Sequence, residues 1–182
     1  MTALEVLLGL LILLYFVWKL SSLAGRLDWT HVRRDNSLNS LRQYLAIRAT
    51  CVARLVSSGK LDEQANNVLK ASLEQVLFAS EKSFRDYLTA ESDLTGVLFE
   101  NFGDEKDLEP LMAATNTAAM VFDLARAAKR VQLARRFHND AVGASQLLHA
   151  RSAVRLFRLA GHTKMPTAVD LDDRVPNALK AL

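Results

Sequence analysis

Hydrophobic residues change their spacing sharply along this chain. Residues 6–18 (VLLGLLILLYFVW) are thirteen apolar positions in a row, without a charge and without alternation. Beyond them, Leu38, Leu41, Leu45, Val52 and Leu55 recur at three- and four-residue spacing, widened by Tyr44, Ile47 and Cys51. That is one buried stripe of an amphipathic helix over about residues 27–58, with Arg34, Arg42 and Arg54 off the stripe. Gly59 is placed to end it. A second helix begins near residues 60–63, with acids in its first turn. Its expected buried face is Val68, Leu69, Leu73, Val76, Leu77, Phe84, Tyr87 and Leu88. Residues 89–109 are less regular, with a short helix near 94–102 and a loop at 103–107. A third helix starts near Leu108, capped by Asp104 or Asp107, and Pro110 fits its first turn. That helix meets no strong breaker before Gly161 and would reach roughly 80 Å at 1.5 Å per residue. A bend is therefore expected around residues 139–145, where Asn139, Asp140, Gly143 and Ser145 cluster.

The continuous run differs from the stripes because it leaves no polar face for water. A helix crossing the ~30 Å hydrocarbon layer needs roughly 20 apolar residues. Residues 3–24 supply 22, with only Glu5 and Lys19 charged. Lys19 can snorkel, and Tyr15 and Trp18 lie beside it as an interfacial aromatic belt. A cleaved signal peptide is the competing reading, because Ser22, Leu23 and Ala24 resemble a small-x-small cleavage site. Glu5, with no Lys or Arg before the apolar run, opposes it. Lys19, Arg26, Arg33 and Arg34 flank the C-terminal side. The expectation is a single-pass cell-membrane protein with its N-terminus outside and the remainder cytoplasmic. The single Cys51 fits a reducing compartment. Gly25, with Ser21 and Ser22, marks where the anchor passes, with a kink, into the first amphipathic helix.

About 155 residues remain beyond the anchor, enough for one domain with a core. Three prolines and seven glycines in 182 residues favour long helices. The expected fold is all-α: one N-terminal transmembrane helix, then a long antiparallel helical bundle. The segments are an anchor at 3–24, a cytoplasmic bundle at 26–161, and an extended or disordered tail at 162–182. The net charge of +3 is too mild to announce nucleic-acid binding, and aromatic interleaving is sparse. Between Arg126 and Arg158 eight cations face a single acid, Asp140. Arg151, Arg155 and Arg158 line one helix face and are candidates for a lipid or partner contact. A solvated face, partly neutralised by the acidic second helix, is the plainer alternative.

Residues 133–142 (LARRFHNDAV) resemble the AR-x-x-Y-N-D-A-V signature in the last helix of the LemA family, carried here by Ala134, Arg135, Asn139, Asp140, Ala141 and Val142. Residues 65–69 (ANNVL) resemble that family's second-helix N-x-L region. His138 stands where the family has Tyr, and the subsequent Tyr-Asn and Phe-Pro are absent. The resemblance implies a divergent, membrane-anchored cytoplasmic bundle and implies no enzymatic activity.

The residues themselves offer little chemistry. His138 and His149 share a helix face about 16 Å apart along the axis, too far for one metal. His31 and His162 stand elsewhere in the sequence. No zinc, phosphate-loop, dinucleotide or nucleophile-elbow motif occurs. Cys51 reads as a small buried hydrophobe. Asn139 reads as a backbone-bonding residue near the bend. No cofactor, metal, nucleic acid or small-molecule substrate is expected. The remaining class is a non-catalytic interaction protein, with membrane lipids and other membrane-protein subunits as partners. A bacterial respiratory supercomplex is a compatible host, since such assemblies carry small single-span accessory subunits. Gly9 is the one small residue in the run where a partner helix could approach closely. A self-associating scaffold on lipid, or one responding to envelope stress, is the alternative.

Overall fold

The computed structural model describes residues 3–152, 154 and 165–182. Helices dominate, and no strand occurs among the described residues. The elements are α1 (Ala3–Ser57), α2 (Glu63–Lys82), α3 (Phe84–Asn101), α4 (Glu105–Met112), α5 (Thr115–His149) and the short α6 (Asn177–Lys180).

Two compact units divide the chain, and α1 and α5 each contribute to both. One unit combines the first part of α1, up to Ser37, with the end of α5 from His138 and the segment to Ala168. There α1 and α5 run antiparallel: Ser37 meets His138, and His31 meets His149. Leu23 packs against Leu148 and Val154.

The other unit holds Leu38–Phe137 and Val169–Leu182. Leu41, Leu45, Val52 and Leu55 of α1 are at most 1 % exposed, as their spacing requires. They divide between two clusters. One joins Val52 and Leu55 to Leu69, Val76, Leu94, Leu98, Val121 and Leu124. The other joins Leu41 and Leu45 to Val131 and Ala134 of α5 and to Val169 and Leu171 of the C-terminal segment. That segment is extended from 165 to 176, ends in α6, and buries Val175, Ala178 and Leu179 in the first of these clusters.

Several elements differ from their sequence expectation. α1 continues as helix through Gly25, and its end at Ser57, followed by Gly59 at φ +63°, is where the sequence placed it. The second helix is two. Ser83 adopts extended backbone, ending α2, and its hydroxyl accepts from the Asp86 N–H at 3.1 Å to begin α3. α2 consequently buries Ala65, Leu69, Ser72, Leu73, Val76 and Ala79, while Val68 and Leu77 face outward. Phe84, Tyr87 and Leu88 belong to α3, which stays helical to Asn101. Asp62 caps α2 through the Ala65 N–H at 2.8 Å. At Asp104 the backbone N–H donates to Asp107 Oδ2 at 3.0 Å, so α4 starts earlier than expected and Pro110 lies inside it.

The expected bend at 139–145 is absent. α5 is helical from Thr115 to His149, and the interruptions fall at 113–114 and 150–151. Val131, Ala134, His138, Ala141, Val142, Ser145 and Leu148 keep the three- and four-residue rhythm and are all buried. Tertiary burial of that stripe outweighs the few tenths to one kcal/mol per residue that Asn, Ser and Gly cost a helix.

Candidate membrane-interface site

α1 contains a stretch near the N-terminus that is long and apolar enough to cross a membrane. The same test is passed by a buried core helix, which exposure excludes, and by a signal sequence near the N-terminus. Every large apolar side chain from Val6 to Trp18 is 51–65 % exposed. No part of the described chain covers them. Each would gain about 1.5–3 kcal/mol on full transfer from water to hydrocarbon.

At the end of this run the aromatic residues cluster. The Tyr15 ring lies 6.1 Å from Phe16 and 6.3 Å from Trp18, centroid to centroid. Lys19 Nζ stands 6.0 Å from the Tyr15 ring. Tyr15, Phe16, Lys19, Leu20, Ser22, Leu23 and Arg26 line a groove of about 400 Å³, and Arg151, just beyond α5, completes it. The structure thus joins Tyr15 and Lys19 to Arg151, with 131 residues of sequence between Lys19 and Arg151. Trp18 is exposed and lies outside the groove lining. Arg155 and Arg158, the other cations of the expected face, lie outside the described residues, as does His162.

Further along the same α1–α5 contact sit three histidines. His31 Nε2 and His149 Nε2 are 3.2 Å apart, a hydrogen bond in which one ring donates and the other accepts. The accepting ring must be neutral. Burial pushes His149 below the usual imidazole range, and the neighbouring His31 and Arg34 charges push the same way. His138 Nδ1 lies 3.0 Å from Ser37 Oγ. The Ser37 hydroxyl donates its proton to the Arg34 carbonyl at 2.7 Å. His138 therefore donates from Nδ1, which sets its tautomer. Its pKa is also lowered, by burial first and by Arg34 next among the lowering influences. His138 and His149 thus have separate partners. No group of three or more His, Cys, Asp or Glu is arranged to hold a metal among the described residues.

The unit that carries the larger core contains a site that sequence spacing did not single out. Arg48 occupies the core stripe between Leu45 and Val52 and is 1 % exposed. Its guanidinium donates to Glu91 Oε2 at 2.6 Å, to the Glu91 carbonyl at 2.9 Å and to Thr95 Oγ1 at 2.9 Å. Glu91 is fully buried. The Thr95 hydroxyl in turn donates to the Asp172 carbonyl at 2.8 Å, and the Asp172 N–H donates to Ser92 Oγ at 3.1 Å. Burial and the adjacent Glu91 raise the Tyr87 phenol well above its ordinary range. The arrangement is a buried set of polar contacts that ties α1 and α3 to the C-terminal segment, with Arg48 Nε and Glu91 Oε1 left without a hydrogen-bond partner. The available signal was position: 41, 45, 48, 52 and 55 form one unbroken rhythm, and an arginine inside it requires a buried acid.

Of the LemA-like motif, Ala134, Ala141 and Val142 are buried, Asn139 is half-buried and Asp140 is exposed. Arg135 grips Asp173 through Nε at 2.6 Å and a second nitrogen at 3.1 Å. Arg126 and Arg54 meet Asp123, Arg130 stands 6.0 Å from the Tyr44 ring, and Lys129 reaches the Lys180 carbonyl. Among the described residues of this basic stretch, Arg126 pairs with Asp123 and Arg135 with Asp173. Cys51 is buried, and desolvation raises its thiol pKa, which suppresses the reactive thiolate. No protein-family model, curated protein or solved structure matches this chain.

Proposed function

We propose that this chain is a non-catalytic single-span membrane protein, an accessory or assembly subunit that docks on a larger membrane complex. The observation that carries the reading is the outward apolar surface at residues 6–18, where every large side chain is more than half exposed. Lipid and the helices of other subunits are the surroundings that remove such a surface from water. The cations flanking the span, Lys19, Arg26, Arg33 and Arg34, orient the bundle toward the cytoplasm under the positive-inside rule. A respiratory supercomplex is one host of the required kind. Several buried or half-buried polar residues pair in ways that serve packing: Arg48 with Glu91, His138 with Ser37, and Arg135 with Asp173. This favours a binding role over a reaction.

Purification of the full chain in mild detergent, with mass spectrometry of the co-purifying proteins, tests the proposal. Defined membrane subunits in fixed ratio are the expected result. Recovery of the chain alone, from membranes that retain it after carbonate washing, would overturn the docking role.

A second reading is a lipid-surface or envelope-stress scaffold made by self-association of a LemA-like bundle. It is favoured by the face of α5 that presents Phe122, Leu133 and Phe137 outward among Arg126, Lys129 and Arg136, all exposed. Cross-linking in membranes that gives homo-oligomers and no other subunit would favour it over docking.

A further inference from the structure

The groove at the end of the apolar run has two unlike halves. Tyr15, Phe16, Leu20 and Leu23 form an apolar wall continuous with the exposed surface of residues 6–18. Lys19, Arg26 and Arg151 form the other half, with Ser22 between them. Lys19 and Arg26 are seven residues apart on one helix, two turns along the same face, so they rise about 10 Å from one another. Arg151 arrives from the other side of the helix pair. All three side chains are exposed, no Asp or Glu lines the groove, and none of the three forms an ion pair among the described residues. Among the described residues, Arg34, Arg48, Arg54, Arg126, Arg135 and Arg174 each meet a carboxylate, while other exposed cations such as Lys70 and Arg85 do not, so the groove is set apart by gathering three such cations beside an apolar wall.

We propose that this groove binds one anionic glycerophospholipid. Its phosphate and headgroup sit among Lys19, Arg26 and Arg151, and the start of an acyl chain lies along Tyr15, Phe16 and Leu20. The inference rests on the reading of α1 as a membrane span. It adds that the span carries a lipid-selective site, to which the end of α5 contributes through Arg151. The argument is one of matched chemistry. Three cations around an acid-free opening call for a phosphoryl or other strongly anionic group. A soluble phosphate would leave the apolar wall wet, whereas an amphiphile satisfies both halves. The groove volume, about 400 Å³, is in the range of clefts that hold a small ligand or a lipid headgroup with its first carbons. The position also fits: Tyr15 and Lys19 are the residue types that settle at the headgroup level.

The test uses the full chain in mild detergent and native mass spectrometry, with phosphatidylglycerol, phosphatidylcholine and inorganic phosphate as separate probes. The expected result is one phosphatidylglycerol retained at least tenfold more tightly than phosphatidylcholine. Inorganic phosphate is expected neither to bind measurably nor to displace it. Arg151→Gln lies outside the span and should lower that preference several-fold while leaving carbonate-resistant membrane insertion intact. Lys19→Gln combined with Arg26→Gln and Arg151→Gln should abolish the preference. Lys70→Gln, an exposed cation of α2 that does not line the groove, should leave it unchanged. Equal retention of the two lipids overturns the proposal. So does a preference that survives the triple substitution, or displacement by inorganic phosphate at similar concentration. Loss of the wild-type chain from carbonate-washed membranes would instead defeat the span itself, which separates the two failures.

Discussion

Residues 6–18 and residues 41–55 belong to the same helix, α1, and are both rich in leucine, yet their surroundings are opposite. In the first stretch apolar side chains point in every direction, and each large one is more than half exposed. In the second, Leu41, Leu45, Val52 and Leu55 point one way and are sealed at 0–1 % exposure, with Arg48 in the same row. Helix propensity cannot account for the contrast, since leucine favours a helix in both. The distribution of apolar residues around the helix decides what solvent each stretch accepts. An all-round apolar surface suits hydrocarbon, and a single stripe suits a protein core facing water on its other side.

The contrast can be broken most severely at Arg48. Glu91→Leu leaves the guanidinium buried without its carboxylate and should cost about 3–5 kcal/mol. Guanidinium-chloride unfolding of the detergent-solubilised chain measures it. The double substitution Arg48→Met with Glu91→Leu should recover most of that loss, because it removes both charges and keeps the volume. A double variant as unstable as the single one would show that the pair itself supplies net stability.

Next in size is a matched pair of leucines. Leu45→Ala removes a sealed side chain and should destabilise by about 3 kcal/mol. Leu11→Ala, at 56 % exposure in the chain itself, should change the same unfolding transition by less than about 0.5 kcal/mol. Equal effects at the two sites would mean that residue 11 is packed against the chain's own core. Leu11→Arg sharpens the comparison from the lipid side. It should cost about 2.5–3.5 kcal/mol of insertion free energy at the centre of a span. Carbonate extraction should show more of the chain released from membranes. Unchanged retention would count against a span.

The smallest expected effect comes from pH and is confined to the unit that contains the histidines. His138 and His149 both have folded-state pKa values below 6.5. The unfolded chain therefore takes up protons first as pH falls, and protonation favours unfolding. The α1–α5 contact should be fully stable above about pH 7, weaken as pH drops through 6.5, and continue to weaken until the folded-state values are passed. Groups facing the pair from α1 are His31, Arg34 and Asp35. Hydrogen exchange at pH 7.5 and 5.5, corrected for intrinsic rates, should show protection lost around residues 138–149. His149→Gln should flatten that dependence. A response of equal size in residues 41–55 would assign it to general acid unfolding.

Much of this architecture was legible in spacing. The stripe at 38, 41, 45, 52 and 55 located the core face of α1, and the acids at 62 and 63 located the start of α2. The division at Ser83 was not, because Phe84, Tyr87 and Leu88 continue a plausible apolar pattern across it. A single serine in extended backbone ended one helix and capped the next. The opposite error arose at 139–145, where Asn, Gly and Ser look like a bend but lie on a buried stripe that keeps the helix continuous. Of the candidate groove, Tyr15 and Lys19 were visible as interfacial residues, together with Trp18, which lies outside its lining. The meeting of Lys19 with Arg151 was not, because spacing carries no information about which distant helix lies alongside.

Local sequence by itself determined the helical class, the unbroken apolar run and the core row of α1, because each depends on how neighbouring side chains are distributed around one helix. Tertiary structure alone decided that Arg48 finds Glu91, that His31 finds His149, and that Arg151 closes a groove begun by Tyr15 and Lys19. Those meetings depend on chain segments more than forty residues apart and on burial that makes an unpaired charge too costly to leave.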